Sequence, residues 1–416
     1  MDPGDRLFRR EAGRMVAALT RLLGLHNLAL AEDVVQDAFC RALEIWKLRG
    51  VPENPSAWLM ITAKNRAIDL LRRERTARSF APDLGRLLET EWTLTGVVDE
   101  VLAPAGIADD ELRLVFSCCQ RGLSETTQVM LVLSLVGGFG PREIANAFVS
   151  APGAVTKRLA RAKRTLADSG VLFDVGGSAD FAVRLPAVQR ALYLIFSEGY
   201  HGSSAGAVRA ELCREALRLV RLLAQHPLGG TPSTHALCAL MCLNGARLAA
   251  RLDDSGNLSS LFDQDRSRWD VSLIAQGRAW LERSAKGTEV SRYHVEAAIA
   301  WEHACAPNFG ATDWSAIVTL YDTLMAVAPS PIVALNRAIA IAQCSGADRG
   351  LEALEGIAMR GRLAEYPFYH AARGELELRR ERAALASEHF KAALALARNE
   401  EERRFLEKRV AACTSS

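Results

Sequence analysis

Apolar residues return every three to four positions along nearly the whole chain, and no stretch alternates apolar with polar residues at a period of two. The first spacing gathers apolar side chains on one stripe of an α-helix, whereas a half-buried strand requires the second. The expected fold class is therefore all-α. Clusters of Gly, Pro, Asn, Asp and Ser at 50–55, 81–85, 103–106, 176–178, 229–233, 253–256 and 307–312 mark the breaks between helices. Toward the C-terminus the helices pair at a period of about 34 residues, the tetratricopeptide length. The clearest unit is 369–399, with Gly374 in its first helix and Ala386, Phe390 and Ala393 in its second. Small residues there let two helices approach closely, and the aromatic ring fills the gap between them. Residues 332–360 fit more loosely, with Ala338, Ala353 and Ile357 in similar places. A generic helical bundle is the other reading of the same pattern.

Three amphipathic segments carry unusual polar faces. In 58–75, Thr62, Asn65, Arg66, Asp69, Arg72 and Arg73 share one arc, with Trp58 near its start. Leu59, Met60, Ala63, Ala67, Leu70 and Leu71 take the other side. Arginine forks suit phosphates and guanine edges, asparagine suits adenine edges, and an indole can stack on an unpaired base. Periodicity alone is equally served by an ordinary solvated helix. In 153–167, Val155, Leu159, Ala162 and Leu166 form a narrow apolar stripe, leaving Thr156, Lys157, Arg158, Arg161 and Arg164 toward solvent. A short helix with Pro141 in its first turn and Ile144 and Phe148 inward precedes it across a tight turn. Short helix, turn and basic helix make a helix-turn-helix, whose second helix enters the major groove. In 31–46, Asp33, Gln36, Asp37 and Glu44 share a polar face, and Val34, Val35, Ala38, Ala42 and Ile45 can pack inward. An acidic face is a poor surface for DNA and a better one for a basic protein partner, although taken alone the pattern is explained more simply by a solvated face.

Charge matters here through its distribution, because 51 basic against 49 acidic residues leave a formal net charge of only +2 in 416 residues. Between residues 79 and 111 lie Asp83, Glu89, Glu91, Asp99, Glu100, Asp109, Asp110 and Glu111 against the single base Arg86. That acidic stretch separates the two arginine-rich helices. Nine cysteines without paired spacing do not make a disulfide framework. Acidic residues interrupt any N-terminal apolar run, and the longest apolar stretch, 129–140, is too short to span a bilayer. A reducing cytoplasm, with no membrane contact, is the expected location. His235, Cys238 and Cys242 lie on one face of a helix without a fourth ligand, so no metal is expected. Adjacent Cys118 and Cys119 point apart on a helix and read as structural thiols. No phosphate loop, dinucleotide fingerprint or hydrolase elbow occurs, so neither a cofactor nor an enzymatic activity is expected. The segment 263–270, DQDRSRWD, either caps the helix that follows or holds the C-terminal part against the rest.

In order and spacing, the three segments resemble the extracytoplasmic-function sigma factors of bacterial RNA polymerase. AEDVVQDAF is similar to the region 2 helix that docks on the β′ clamp, and WLMITAKNRAIDLLRRE to the reader of the −10 element. LSETTQVMLVLSLVGGFGPREIANAFVSAPGAVTKRLARAKRTL is similar to region 4, which reads the −35 element. DDELRLVFSCCQ, LYLIFSEGY, LFDQDRSRWD and LARNEEERRFLEKR resemble a subgroup with a large tetratricopeptide-like C-terminal extension. The resemblance implies that Asp33, Gln36 and Asp37 contact the β′ clamp of core polymerase, with the β flap as a second contact. It assigns Trp58, Thr62, Asn65, Arg66, Asp69, Arg72 and Arg73 to the −10 element, and the loop 51–56 to the flipped base. It assigns Thr156, Lys157, Arg158, Arg161 and Arg164 to the −35 element. The implied domains are region 2 over 1–77, an acidic linker over 78–110, and region 4 over 111–170. A helical extension over 171–288 and repeats over 289–416 follow. The expected function is promoter recognition, −10 melting and transcription initiation with core RNA polymerase. The extension is expected to regulate this by touching the sigma domains within the same chain. A helix-turn-helix regulator with a helical sensor domain, acting without polymerase, is the alternative.

Overall fold

The computed structural model describes residues 3–77, 104–148, 150–170, 172–173, 178–201, 209–358 and 360–414. Among these the chain is all-α, as the spacing requires: every regular element is a helix, and β-pairing is limited to one isolated bridge between Leu252 and Leu258. The chain divides into two compact units, one of residues 1–146 and 150–194, the other of 147–149 and 195–416.

In the first unit, α1 (Pro3–Leu23) leads through a 3₁₀ turn into α2 (Leu28–Arg49), and α3 (Pro55–Ala77) packs back on α2. Gly24 makes the turn between α1 and α2 with φ of 82°, a conformation that glycine adopts without steric cost. Then come α4 (Pro104–Cys118), α5 (Glu125–Leu135), α6 (Pro141–Ala147) and α7 (Pro152–Asp168). The apolar faces read from the sequence are the buried ones: Val34, Val35, Ala38 and Ala42 in α2, and Leu59, Met60, Ala63 and Ala67 in α3. Ile45 departs from that reading. It is 37% exposed, although Trp46 in the same turn packs on Trp58 of α3.

The end of the acidic stretch also differs from a linker. Proline starts helices well, since its missing N–H has no partner in the first turn anyway, and α4 begins at Pro104. Asp110 is thereby carried into the interior, 3% exposed, and ion-pairs with Arg21 of α1 at 2.9 Å. Residues 78–103, with five of the eight acidic side chains, lie outside the described residues. A close approach of α1 to the chain after α5 depends on Gly13, where a Cβ would lie 1.9 Å from the Val136 carbonyl oxygen. Segments read as two sigma regions thus pack together in one unit. The unit also takes in Phe173, which stacks on Phe116 of α4 at 4.9 Å, and the start of α8 (Ser178–His201), where Phe181 packs tilted on the same ring at 4.3 Å. Cys118 and Cys119 are buried beside them, and burial pushes the Cys119 thiol up to about 12, which leaves it unreactive.

The second unit holds the rest of α8 with α9 (Ala210–Gln225), α10 (Pro232–Gly245), α11 (Val271–Ser284), α12 (Arg292–Cys305) and α13 (Trp314–Val327). It ends with α14 (Pro331–Ser345), α15 (Ala347–Glu355), α16 (Pro367–Arg379), α17 (Ala383–Ala395) and α18 (Glu400–Ala412). From α12 onward each helix packs on the next. Gly374 of α16 faces Phe390 of α17, where a Cβ would come within 2.9 Å of the ring. Gly350 plays the same part toward Ala342 between α15 and α14. The DQDRSRWD segment does cap: Asp270 accepts a hydrogen bond from the Leu273 N–H at the start of α11, at 3.0 Å.

Candidate polymerase and nucleic-acid interface

Helix α7 is built to present one basic face. Val155, Leu159, Ala162 and Leu166 are all buried, so the helix is fixed along a single stripe. Thr156, Lys157, Arg158, Arg161 and Arg164 are consequently all exposed. A groove of about 430 Å³ runs beside this face, lined by Lys157, Arg158, Arg161 and Thr165 and by Gly122, Ser124 and Thr127 at the start of α5. Lys163 points elsewhere. It is half-buried on the opposite side and donates to Glu32 Oε1 of α2 at 2.6 Å.

On α2, Asp33 and Gln36 are exposed, whereas Asp37 is half-buried and accepts from Arg66 Nε of α3 at 2.8 Å. Two side chains that the sequence assigned to different partners are therefore partners of each other. On α3, Asn65 and Asp69 are exposed, and Trp58 and Thr62 are half-buried. The Thr62 hydroxyl donates back to the Trp58 carbonyl at 2.8 Å. The Trp58 ring meets the Trp46 ring edge-on, with centroids 5.5 Å apart, so part of its surface is already covered. The side chains of Arg72 and Arg73 lie outside the described residues. In the 51–56 loop, Val51 is exposed just after Gly50, which ends α2 with φ of 81°; Pro55 and Ser56 already belong to α3.

Glu32, Lys163 and Trp46 are the residues near this surface that the sequence reading did not assign. Lys163 was visible only as a cation off the basic arc, and nothing local marked its partner. Cys238 and Cys242 of α10, with His235, hold no metal-like cluster among the described residues. Instead Arg221 reaches the Cys242 sulfur at 3.8 Å, and His235 stacks on Trp280 at 5.3 Å.

An uncharacterised protein of Rhizobium meliloti is 37% identical to this chain over 383 residues, covering 91% of this chain and 89% of that protein. The chain belongs to that protein's family. The model for sigma-70 region 2 matches residues 7–77, the stretch that forms α1, α2 and α3. A family of unknown function, DUF6596, matches residues 184–285 in the helices that follow. The ECF RNA polymerase sigma factor SigK of Mycobacterium ulcerans is 27% identical over 158 residues, 35% of this chain and 78% of that protein. The region 2 match and the SigK similarity support a sigma factor role for this family member. None of its described helices is long and apolar enough to cross a membrane.

Proposed function

We propose that this protein binds core RNA polymerase, directs it to a set of promoters and helps melt the −10 region. In this reading Asp33, Gln36 and Asp37 of α2 meet the β′ clamp, and region 4 meets the β flap. The α3 face of Trp58, Thr62, Asn65, Arg66 and Asp69, continued by Arg72 and Arg73, handles the −10 strand. Trapping an unstacked base offsets the few kcal/mol that unstacking costs. Thr156, Lys157, Arg158, Arg161 and Arg164 enter the −35 major groove. Residues 1–77 and 111–170 act as sigma regions 2 and 4, joined by the acidic segment 78–110. The helices beyond, including tetratricopeptide-like repeats over 289–416, regulate them. The protein works in the cytoplasm, without a cofactor or an enzymatic activity of its own.

The observation that carries this reading is the fully exposed basic face of α7, held outward by its buried stripe, in one unit with the region 2 helices. The test is co-purification with core polymerase, followed by transcription in vitro from promoters selected by that holoenzyme. A protein that binds duplex DNA specifically but never associates with core polymerase is the helix-turn-helix regulator instead.

A further inference from the structure

Among the described residues, three arginines meet in the second unit without an acid to answer them. Arg247 and Arg251 flank the short 3₁₀ turn Leu248–Ala250 after α10, and Arg266 comes from the DQDRSRWD segment. The Arg247 and Arg266 guanidinium carbons lie 5.3 and 4.7 Å from the centroid of the Trp269 ring. The Arg251 guanidinium lies 4.6 Å from that of Tyr200. Each arginine is anchored by one side of its fork. Arg247 Nε donates to Gln264 Oε1 at 3.2 Å, Arg251 Nη2 to the Tyr200 carbonyl at 3.1 Å, and Arg266 Nη1 to the His303 and Ala306 carbonyls.

The remaining donors are what matter. Arg251 Nε, Arg266 Nη2 and the Trp269 indole N–H are buried and have no acceptor among the described residues. Trp269 is 5% exposed. His303, 8% exposed, adds a buried Nδ1 with no partner among the described residues, and burial beside Arg247 and Arg266 pushes its imidazole down to about 3. The histidine is therefore neutral at neutral pH and adds no charge to an excess the arginines already create. Among the described residues no carboxylate ion-pairs with any of the three arginines. The nearby acids have other work: Asp265 caps the 3₁₀ turn at 266–268, Asp254 takes Arg268 at 3.3 Å, and Glu296 takes Arg292 at 2.6 Å. Protein interiors rarely collect like charges without a counter-charge, because desolvation and mutual repulsion both oppose it. Aromatic faces attract the cations but leave their charge and their N–H groups unanswered.

We infer that Arg247, Arg251, Arg266 and the Trp269 N–H form a binding site for a compact, multiply charged oxyanion, the phosphate group of a small phosphorylated molecule. A single carboxylate would leave two of the three charges unmatched, whereas a phosphate brings up to two charges and enough lone pairs for several converging donors. Guanidinium forks fit its oxygens two at a time. The site needs neither polymerase nor promoter, so its test is independent of the sigma factor reading.

The test is calorimetric titration of the full-length protein with inorganic phosphate, and then pyrophosphate, at constant ionic strength with chloride as the control. Saturable phosphate binding, absent with chloride, is expected. Arg266→Gln and Arg247→Gln should each weaken it by about tenfold, a typical loss for one charge-assisted contact. Trp269→Phe keeps an aromatic face but removes the N–H together with part of the indole; it should weaken binding by a smaller factor while the circular dichroism stays close to wild type. Arg268→Gln, whose side chain turns to Asp254, should bind like wild type. No saturable phosphate binding by the wild-type chain, or unchanged binding by a folded Arg266→Gln variant, would overturn the proposal. Citrate binding more tightly than phosphate and pyrophosphate would overturn the phosphate assignment in favour of polycarboxylates.

Discussion

Lys163 of the basic helix α7 and Glu32 of α2 are joined by a 2.6 Å ion pair across 131 residues of sequence. The helix thus has two faces with separate tasks: Lys163 holds it to the region 2 helices, and Arg161 and its neighbours face outward. A half-buried isolated pair of this kind contributes about 1 kcal/mol or less. Lys163→Ala should accordingly lower the urea midpoint slightly and leave affinity for duplex DNA near wild type. Arg161→Ala should do the reverse, weakening promoter binding by about 1–3 kcal/mol if the contact is bidentate. Fluorescence anisotropy and urea titration on both variants check the division. A larger DNA defect in Lys163→Ala would contradict it.

The same packing sets a geometric limit. A compact unit of its size is about 40 Å across. The −10 and −35 elements lie about 25 base pairs apart, or about 85 Å at 3.4 Å per pair. For α3 and α7 to read both, α7 must part from α2. A short bis-maleimide bridge between Glu32→Cys and Lys163→Cys, with Cys40, Cys305 and Cys344 replaced by serine, should block transcription while leaving core binding intact. Full activity of the bridged protein would show that no opening is needed.

Asp33 and Asp37 should separate, although they lie one turn apart. Asp33 is exposed, so Asp33→Arg should weaken association with core polymerase and change stability by less than about 0.5 kcal/mol. Asp37→Arg also places a cation against Arg66 and breaks the α2–α3 pair, so it should lower both association and melting temperature. Co-purification and thermal melts of the two variants, side by side, provide the comparison. Equal melting temperatures would mean the Asp37–Arg66 pair carries no stability.

Acid should destabilise the second unit through His303. Its imidazole is pushed from 6.5 to about 3 by burial and then by Arg247 and Arg266. Above pH 6.5 the ring is neutral folded or unfolded. Below it, the unfolded chain binds a proton that the native site refuses, so stability falls as pH drops toward about 3. At pH 5 the loss attributable to this ring is about 2 kcal/mol. His303→Asn keeps the backbone carbonyl that accepts from Arg266, and should flatten the difference in urea stability between pH 7.5 and pH 5 by about that amount. An unchanged difference would place the acid sensitivity on other groups.

Gly374→Ala should destabilise the chain by about 1–3 kcal/mol, since the new methyl would lie 2.9 Å from the Phe390 ring. Phe390→Leu should relieve that clash, so the double variant should cost less than the two single changes added together. Additive losses in chemical denaturation would mean the two residues do not meet.

The helices and their buried faces were legible because helical geometry is local. Residues three and four apart share a face whatever the rest of the chain does, which is why the stripe from Val155 to Leu166 and the small residues around Phe390 could be named from spacing. The polar residues on the outward face of α7 followed from the same rule. Spacing cannot say which face meets which, or where a covering helix ends. Ile45 sits in phase with the core of α2 yet is 37% exposed, while Trp46 beside it packs on Trp58 of α3. Asp37 and Arg66 each sit on the polar face of an exposed-looking helix, and only the packing of α2 on α3 brings them together. The arginine cluster is the extreme case. Tyr200, Arg247, Arg266 and His303 come from four separate stretches with no shared period, so their convergence was decided by tertiary structure alone.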